Sequence, residues 1–256
     1  MELTTKSILI TGAAGRIGSA TARLAVAAGA EVILTDISNE RLRTLKNQLE
    51  KFSTANIWTI QCNITVEEEL DELLTQAKIY SPKITSAVHC AYPISSGWGT
   101  KFGDLKATHL NQDLAMQLGG AILFSQKVLG LFSNQGGGDL VHISSIQGVQ
   151  SPKFEHYDGT TMSSPIEYAA IKSGIISITK WLAKYHHDLN IRVNCVSPGG
   201  ILDKQPKIFL ERYRKSCANI GMLSSDQVAS AILFLLSPAA AAINGHNLIV
   251  DDGWSL

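Results

Sequence analysis

The 256-residue sequence predicts an α/β fold, a doubly wound three-layer sandwich with helices on both faces of a parallel sheet of about seven strands. Short runs rich in β-branched residues alternate with longer amphipathic segments, and this alternation favours parallel strands joined by helical crossovers. The first strand candidate, SILIT, is apolar at most positions, which is typical of a strand buried on both faces. The length is enough for one core, so we expect residues 1–256 to form a single nucleotide-binding domain.

The elements follow one another in a regular order. Strands are predicted over 7–11, 31–36, 56–62, 84–90, 139–144, 190–197 and 246–251. Amphipathic segments between them predict helices over 16–28, 39–51, 66–79, 113–132, 165–187 and 226–236. The sequence contains neither an internal repeat nor a linker rich in Pro, Gly or Ser that would divide the chain.

Two segments depart from this alternation. Residues 150–165 (QSPKFEHYDGTTMSSP) are too polar and turn-rich for a regular element, and residues 200–223 follow a Pro-Gly turn and carry a short basic helix-like piece. Long loops within compact domains often bind ligands. Both follow strands at the sheet edge where such folds bind ligands, so we expect two substrate loops, an insertion at 150–165 and a second loop at 200–223.

Composition excludes several classes of function. The 22 basic and 22 acidic side chains cancel, so no overall field attracts nucleic acid or an anionic membrane. The four cysteines are far apart without a CxxC pair, which favours reduced thiols over a disulfide framework or a metal site. No signal peptide precedes the first strand candidate, and no apolar run approaches the ~20 residues of a membrane span. We expect a cytoplasmic protein with a small-molecule substrate.

A glycine-rich turn connects the first strand candidate to the first helix. Residues 11–18 read TGAAGRIG, with Gly12, Gly15 and Gly18 at the turn and Arg16 and Ile17 between them. Glycines at this place let backbone N–H groups approach a diphosphate at the helix N-terminus. A glycine-rich turn can also connect a strand and a helix without binding a ligand. Here the strand before it and the helix after it favour dinucleotide binding.

An acidic residue ends the second strand candidate. Asp36 lies 18 positions after Gly18, where a carboxylate can accept hydrogen bonds from ribose hydroxyls and repel a 2′-phosphate. This favours NAD over NADP. The alternative is that Asp36 caps the helix that starts near Ser38. Arg16 instead favours NADP, because a guanidinium in this loop can bind a 2′-phosphate. The Arg16 side chain can also lie at the surface or contact the diphosphate.

A tyrosine and a lysine begin the long helix over 165–187. Tyr168 and Lys172 are four residues apart and therefore share one helix face. A lysine cation beside a tyrosine favours the phenolate and lowers the tyrosine pKa, as a proton donor and acceptor requires. Ser144 and Ser145 end the preceding strand candidate, at the edge where the strand meets the expected cofactor.

Together these motifs resemble the short-chain dehydrogenase/reductase family, in its shorter-chain branch with a Rossmann fold. The resemblance spans nearly the whole chain, through TGAAGRIG, Asp36, the serine pair, the tyrosine–lysine pair, Ser197-Pro198-Gly199 and the closing VDDG. Within the family, the sequence is similar to flagellin-modification and bacterial surface-sugar oxidoreductases. It shares with them the insertion before the catalytic helix, the SPGGILDKQP segment and the DDGW ending.

The resemblance implies a role for each matching position. Ser145 would steady the substrate oxygen, Tyr168 would transfer the proton and Lys172 would bind the nicotinamide ribose, while Gln117 aligns with an asparagine that supports a water relay. The cofactor-binding positions would be Gly12, Gly15, Arg16, Ile17, Gly18, Asp36, Ile37, Asn63, Ile64, Cys90, Ala91, Tyr168, Lys172, Pro198, Gly199, Gly200 and Ile201. The family also implies a homodimer or homotetramer that uses the helices over 113–132 and 165–187.

The sequence departs from the family pattern at several places. Arg16 stands where the second glycine is expected, Tyr92 stands where a glycine leaves space near the cofactor, and Asp203 replaces a threonine. Ser145 and Tyr168 are 23 positions apart, a longer interval than the family implies, because the insertion at 150–165 lies between them. Its polar side chains suit a hydrophilic ligand, although a solvated surface loop is the alternative.

A basic cluster follows the Pro-Gly turn. It consists of Lys204, Lys207, Arg212, Arg214 and Lys215. Such a cluster can hold a phosphate or a carboxylate, or it can be a solvated helix face.

The sequence therefore predicts an NAD-dependent oxidoreductase that interconverts a hydroxyl and a carbonyl on a polar, sugar-derived substrate, with Tyr168 as acid and base. Two alternatives stay open. The Gly12/Gly15 spacing also suits an epimerase or dehydratase with tightly held NAD. A non-catalytic nucleotide-binding redox sensor is the other, although it would be expected to lack the tyrosine or the lysine.

Overall fold

The computed structural model describes residues 2–256 and contains one seven-stranded parallel sheet in the order β3-β2-β1-β4-β5-β6-β7. The strands are β1 (Ser7–Thr11), β2 (Glu31–Asp36), β3 (Ile57–Gln61), β4 (Ser86–His89), β5 (Gly138–Ile143), β6 (Ile191–Pro198) and β7 (Asn247–Val250). The strand order reverses between β1 and β4, which opens a crevice beyond the carboxyl ends of these strands.

Eight helices of at least seven residues surround the sheet within residues 2–256. They are α1 (Arg16–Ala27), α2 (Asn39–Leu49), α3 (Glu67–Tyr80), α4 (Ala107–Asp113), α5 (Gly120–Gln135), α6 (Ile166–Tyr185), α7 (Lys207–Lys215) and α8 (Ser225–Leu236). A π-helical turn over Leu114–Gly119 joins α4 and α5 into one continuous helix.

The hydrophobic core is divided by the sheet into two layers. Ile8 and Ile10 of β1 point into the layer that holds α1, α2 and α8, whereas Leu9 points into the layer that holds α3 and α5. Val32 and Ile33 of β2 alternate in the same way. Because neighbouring strand residues face opposite sides, both faces of the sheet are buried, as the apolar strand runs predict.

The predicted fold class is confirmed, with differences at the ends of elements. Each strand lies within two residues of its predicted bounds. The helix predicted over 113–132 is different: it begins at Ala107, reaches Gln135 and contains the π-helical turn. Its start was missed because 107–113 (ATHLNQD) is mostly polar and has no clear apolar period. The basic piece of the second loop forms α7.

The continuous helix also corrects the expectation that no segment is long and apolar enough to span a membrane. Among residues 2–256 one helix, Ala107–Gln135, passes that test by length and composition alone. Its apolar residues Phe124, Val128 and Phe132 pack against the sheet within the second core layer. Core helices satisfy the same test of length and hydropathy, so this helix is accounted for by its packing in the sandwich.

Candidate active site

A cleft of about 830 Å³ lies at the carboxyl ends of the strands. One end is formed by the glycine loop and the ends of β2 and β3, and we call it the cofactor end. The other end is formed by the segment 145–164, α7 and the C-terminal segment, and we call it the substrate end. Tyr168 and Lys172 lie between the two ends.

The glycine loop at the cofactor end has no room for side chains at two of its positions. Gly12 has φ +59°, and a Cβ atom there would lie 2.7 Å from backbone atoms of Cys90 and Ala91. A Cβ atom on Gly18 would lie 2.3 Å from the carbonyl oxygen of Gly12. These contacts bring the backbone of the loop close to both β4 and α1, so the first N–H groups of α1 are available to an anion.

Asp36 fastens the glycine loop to the end of β2. Its carboxylate accepts hydrogen bonds from the backbone N–H groups of Ala14, at 3.1 Å, and Ser38, at 3.2 Å. The cap of α2 is Ser38, whose hydroxyl accepts from the N–H of Arg41. The alternative role of Asp36 as the cap of α2 is therefore not what the structure shows. Its carboxylate remains at the cleft surface, 8% exposed.

Two arginines flank this end of the cleft. Arg16 forms an ion pair with Asp203, which connects the glycine loop to the loop after β6. Arg41 donates a hydrogen bond to the carbonyl of Ala14. Both guanidinium groups thus have partners in the protein, and the Arg16 side chain is 58% exposed.

The end of β5 is locked against the start of α6. The Ser144 hydroxyl donates a hydrogen bond to the carbonyl of Lys172 at 2.7 Å. Gly148 lies so close to the same carbonyl carbon that a Cβ atom would be 2.6 Å from it. The Ser145 hydroxyl accepts from the N–H of Gln147 at 3.1 Å and lies close enough to Tyr168 to lower the pKa of that tyrosine. These contacts hold Ser145, Tyr168 and Lys172 in one fixed arrangement.

Burial sets the protonation of the tyrosine–lysine pair. The Lys172 ammonium lies 5.7 Å from the centre of the Tyr168 ring and donates to the carbonyl of Ile143 at 3.0 Å. Burial lowers the pKa of Lys172 to about 8. It raises the pKa of Tyr168, and the neighbouring Ser145 hydroxyl acts in the opposite direction. The direction for Tyr168 therefore differs from the lowering expected from the lysine, because loss of water outweighs the effect of Ser145.

Tyr92 fills the space that a glycine would leave beside the pair. Its ring meets the rings of Tyr168 and Trp98 edge to face, with centres 6.0 and 5.5 Å apart. The Lys172 ammonium lies 5.2 Å from the centre of the Tyr92 ring, within the range of a cation–π contact. Tyr92 thus forms a wall of the cleft beside Lys172.

The insertion at 150–165 packs on α7 through His156 and Tyr157, while other residues, among them Phe154, are exposed. His156 is buried, its Nε2 atom lies 3.0 Å from the hydroxyl of Ser216, and burial lowers its pKa. Its ring contacts those of Phe209, Tyr213 and Trp254. The insertion therefore packs, despite its polar sequence, against an aromatic cluster from α7 and the C-terminal segment. This cluster closes the substrate end.

The basic cluster does not contribute to the cleft. Within the described part of the chain, none of its five side chains lines the cleft. Lys207 is 90% exposed and pairs with Glu211, whereas Arg212 donates to the carbonyl of Asp158. The hypothesis of a phosphate or carboxylate site at this cluster is therefore not supported, and the solvated helix face describes it better.

Every position predicted to bind the cofactor lines the cleft, and so does Ser145. Gln117 is the exception: it lies in the π-helical turn, and its amide atoms have no hydrogen-bond partner within residues 2–256. Its neighbour Met116 reaches the cleft instead. His89 lies below the site, where its Nδ1 atom is 2.9 Å from the hydroxyl of Thr11.

Several cleft residues were not named individually from the sequence. Tyr157, Met162, Gln205, Phe209, Tyr213 and Met222 lie within the two expected substrate loops, whereas Arg41, Thr65, Gln147 and Trp254 lie outside them. Most come from loops whose place depends on tertiary contacts. Phe209 and Tyr213 carried a usable signal, because two aromatic residues four apart share one face of a short basic helix.

Comparison with known proteins gives a consistent result. A family model described as enoyl-(acyl carrier protein) reductase matches residues 12–255. Post-translational flagellin modification protein A of Campylobacter coli is 41% identical over 99% of this chain and 100% of its own length. The 7alpha-hydroxysteroid dehydrogenase of Bacteroides fragilis is 30% identical over 98% of this chain and 95% of its own.

Solved structures show the same fold. The crystal structure of a short chain dehydrogenase from Leptospira borgpetersenii with bound NAD+ superimposes with a TM-score of 0.84 and 28% identity. The match covers 98% of this chain and 93% of that chain.

Proposed function

The chain belongs to the short-chain dehydrogenase/reductase family, and we propose that it is an NAD-dependent oxidoreductase that interconverts a hydroxyl and a carbonyl on a polar, sugar-derived substrate. The observation that carries the proposal is the shared cleft, in which Ser145, Tyr168 and Lys172 lie beyond the glycine loop and Asp36. The family assignment makes the chain an oxidoreductase; the residue roles, the preference for NAD and the substrate are the proposal.

The cofactor end fits a dinucleotide. The loop at Gly12 and Gly18 is closed to side chains and open to an anion at the start of α1. Asp36 would accept hydrogen bonds from the ribose hydroxyls, and Pro198 to Ile201 would border the nicotinamide. When bound, the nicotinamide accepts or donates a hydride. The protein orients it against the substrate and supplies a proton path.

Three side chains would handle the proton and the substrate oxygen. Ser145 would donate a hydrogen bond to that oxygen, and Tyr168, as phenolate, would take the hydroxyl proton during oxidation and return it during reduction. Lys172 would bind the nicotinamide ribose and, while protonated, favour the phenolate. The lock between Ser144 and the carbonyl of Lys172 keeps these groups in register.

The substrate class is proposed from one relative and the lining of the cleft. The C. coli protein is named for flagellin modification and matches the chain from end to end. Polar side chains at the substrate end, among them Gln147 and Tyr157, suit a hydroxylated ligand. We place the reaction on a sugar-derived alcohol or ketone without a charged group at the reacting end, because the basic cluster lies outside the cleft.

The family and the protein surface support a proposal for assembly and location. Exposed apolar side chains lie on the outer faces of α5 and α6, including Ile122, Ile166 and a stacked pair, Trp181 and Tyr185. We propose that these faces form a homodimer or homotetramer, and that the protein, whose four cysteines are free thiols, works in the cytoplasm.

The test of the function is net change in NADH absorbance with amino sugars, sugar nucleotides and simple alcohols. We expect NADH to form from a sugar alcohol, and the rate to rise with pH because oxidation requires the Tyr168 phenolate and burial raises the pKa of that tyrosine. Reduction requires the phenol, so its rate is expected to hold at neutral pH and fall as pH rises through the same pKa. Turnover of a sugar without net NADH change would instead indicate the epimerase or dehydratase.

Asp36 is expected to determine the choice between NAD and NADP. The wild-type protein should bind NAD more tightly, because the 2′-phosphate of NADP would approach the carboxylate. Asp36→Asn is expected to reduce this preference about tenfold, since one like-charge contact near a surface is worth roughly 1–1.5 kcal/mol. Fluorescence titration with both reduced nucleotides measures the ratio.

Glu31→Gln is the matched control for Asp36→Asn, because it removes a carboxylate at the other end of β2. Tighter binding of NADP than of NAD by the wild-type protein would contradict the assignment.

A further inference from the structure

The substrate end contains a polar network that the proposed proton path does not use. The hydroxyl of Ser164 donates a hydrogen bond to Oε1 of Gln147 at 2.6 Å. Nε2 of Gln147 donates to the hydroxyl of Tyr157 at 3.2 Å. The Gln147 side chain is therefore held at both ends of its amide, and both Gln147 and Tyr157 line the cleft.

The network is connected to the reacting groups. Gln147 lies two residues after Ser145, and its N–H donates to the Ser145 hydroxyl at 3.1 Å. Ser145 in turn lies beside Tyr168 in the cleft, where its hydroxyl lowers the pKa of that tyrosine. A substrate oxygen bound between Ser145 and Tyr168 would bring the neighbouring atoms of the substrate toward Gln147 and Tyr157.

The insertion builds this network. Tyr157 and Ser164 both belong to it, and the packing of His156 on α7 fixes its position. The tyrosine hydroxyl and the backbone carbonyl at Tyr157 have separate partners, because the carbonyl accepts from Thr160. The insertion thus delivers the Tyr157 side chain to the cleft, and its Ser164 side chain holds the amide of Gln147.

The network leaves hydrogen-bond donors for a ligand. The amide nitrogen of Gln147 carries a second hydrogen, and the Tyr157 hydroxyl, which accepts from Gln147, carries a hydrogen that it can donate to a ligand in place of the neighbouring Ser164 hydroxyl. Apolar and aromatic neighbours surround these groups, among them Ile146, Met162 and Phe209. In such surroundings an oxygen that accepts these hydrogens is favoured, and a ligand without one leaves buried donors unpaired.

We propose that Gln147 and Tyr157 form a subsite for an uncharged oxygen on the carbon next to the reacting one, either a hydroxyl or the carbonyl of an acylamino group. The subsite rests on the proposed function and makes the enzyme selective for vicinal diols and acylamino alcohols over simple alcohols. Both groups of the subsite are neutral, so they suit a hydroxyl or an amide better than a phosphate or carboxylate.

The test compares substrates that differ only in the neighbouring oxygen. NAD reduction is measured with trans-1,2-cyclohexanediol against cyclohexanol, and with 2,3-butanediol against 2-butanol. The wild-type protein is expected to show the higher kcat/KM for each diol. Tyr157→Phe, which removes one oxygen atom, is expected to lower the diol-to-alcohol ratio of kcat/KM about tenfold, as is Gln147→Leu.

The two substitutions are expected to couple, because both remove contacts to the same substrate oxygen. The double variant should therefore lose less selectivity than the product of the two single effects. Tyr80→Phe is the matched control: Tyr80 stacks on Trp58 at the far end of α3, so the ratio should stay at the wild-type value.

Each outcome separates the subsite from the proposed function. Wild-type turnover of both members of a pair, with a ratio that Tyr157→Phe and Gln147→Leu leave unchanged, would overturn the subsite alone. A protein that binds NADH but oxidises neither these alcohols and diols nor any sugar alcohol would overturn both the subsite and the alcohol-oxidoreductase proposal. Binding of NADH by each variant, followed by fluorescence, shows that it is folded.

Discussion

Replacing Tyr168 with phenylalanine is expected to lower kcat by about 10²–10⁴-fold, because the ring stays and only the acid–base hydroxyl is lost. The Tyr168 ring contacts Tyr92 and Trp98 edge to face, and phenylalanine preserves both contacts. The binding of NADH should stay close to that of the wild-type protein, since the glycine loop and Asp36 at the cofactor end are unchanged. The measurements are kcat with the best sugar alcohol and NADH binding by fluorescence.

Tyr80→Phe provides the control for this substitution. Tyr80 ends α3, where it stacks on Trp58, so the change removes a tyrosine hydroxyl outside the cleft. Undiminished turnover of Tyr168→Phe would refute the catalytic assignment. Loss of NADH binding together with turnover would show that the hydroxyl supports the cofactor site rather than proton transfer.

Replacing Gly12 with alanine is expected to destabilise the fold by about 3 kcal/mol and to abolish NADH binding. The substitution has two costs. A residue with a Cβ atom is strained at φ +59°, and that atom would be 2.7 Å from the backbone of Cys90 and Ala91. Neither obstacle is a flexible side chain, so β4 and the glycine loop must separate, and the N–H groups at the start of α1 then lose their positions.

Thermal unfolding followed by circular dichroism measures the loss of stability. A decrease in Tm of about 10 °C is expected for a chain of this size. Gly103→Ala is the matched control, because no atom lies within 4 Å of a Cβ atom built on Gly103. Retention of wild-type Tm and NADH affinity by Gly12→Ala would show that the loop does not require the close approach seen here.

The proposed selectivity depends on a segment whose sequence suggests a solvated loop. Residues 150–165 carry many polar side chains, but His156 is buried among aromatic rings and Tyr157 faces the cleft. A polar residue can be buried when it has a hydrogen-bond partner, and His156 has one in Ser216, 60 positions later. The partner comes from the loop after α7, so the composition of the insertion alone does not indicate its packing.

The pKa of Tyr168 shows the same limit of local reasoning. Spacing along a helix places Lys172 beside the tyrosine and predicts a lower tyrosine pKa. The structure confirms that the two side chains are neighbours, but burial raises the pKa of Tyr168 and lowers that of Lys172. How much water each group loses depends on the packing of β4, β5 and the insertion around them. The spacing of residues along one helix does not predict this loss.

By itself, the sequence determined the fold class, the order of the strands and helices, and the cofactor end of the cleft. These features depend on local signals: apolar strands, helical periods and glycines at a tight turn act over a few residues. Tertiary structure alone decided how the two expected substrate loops pack, the ion pair between Arg16 and Asp203, and the place of Gln117 outside the cleft. These depend on contacts between distant segments, which form only when the sheet brings its strand ends to one edge.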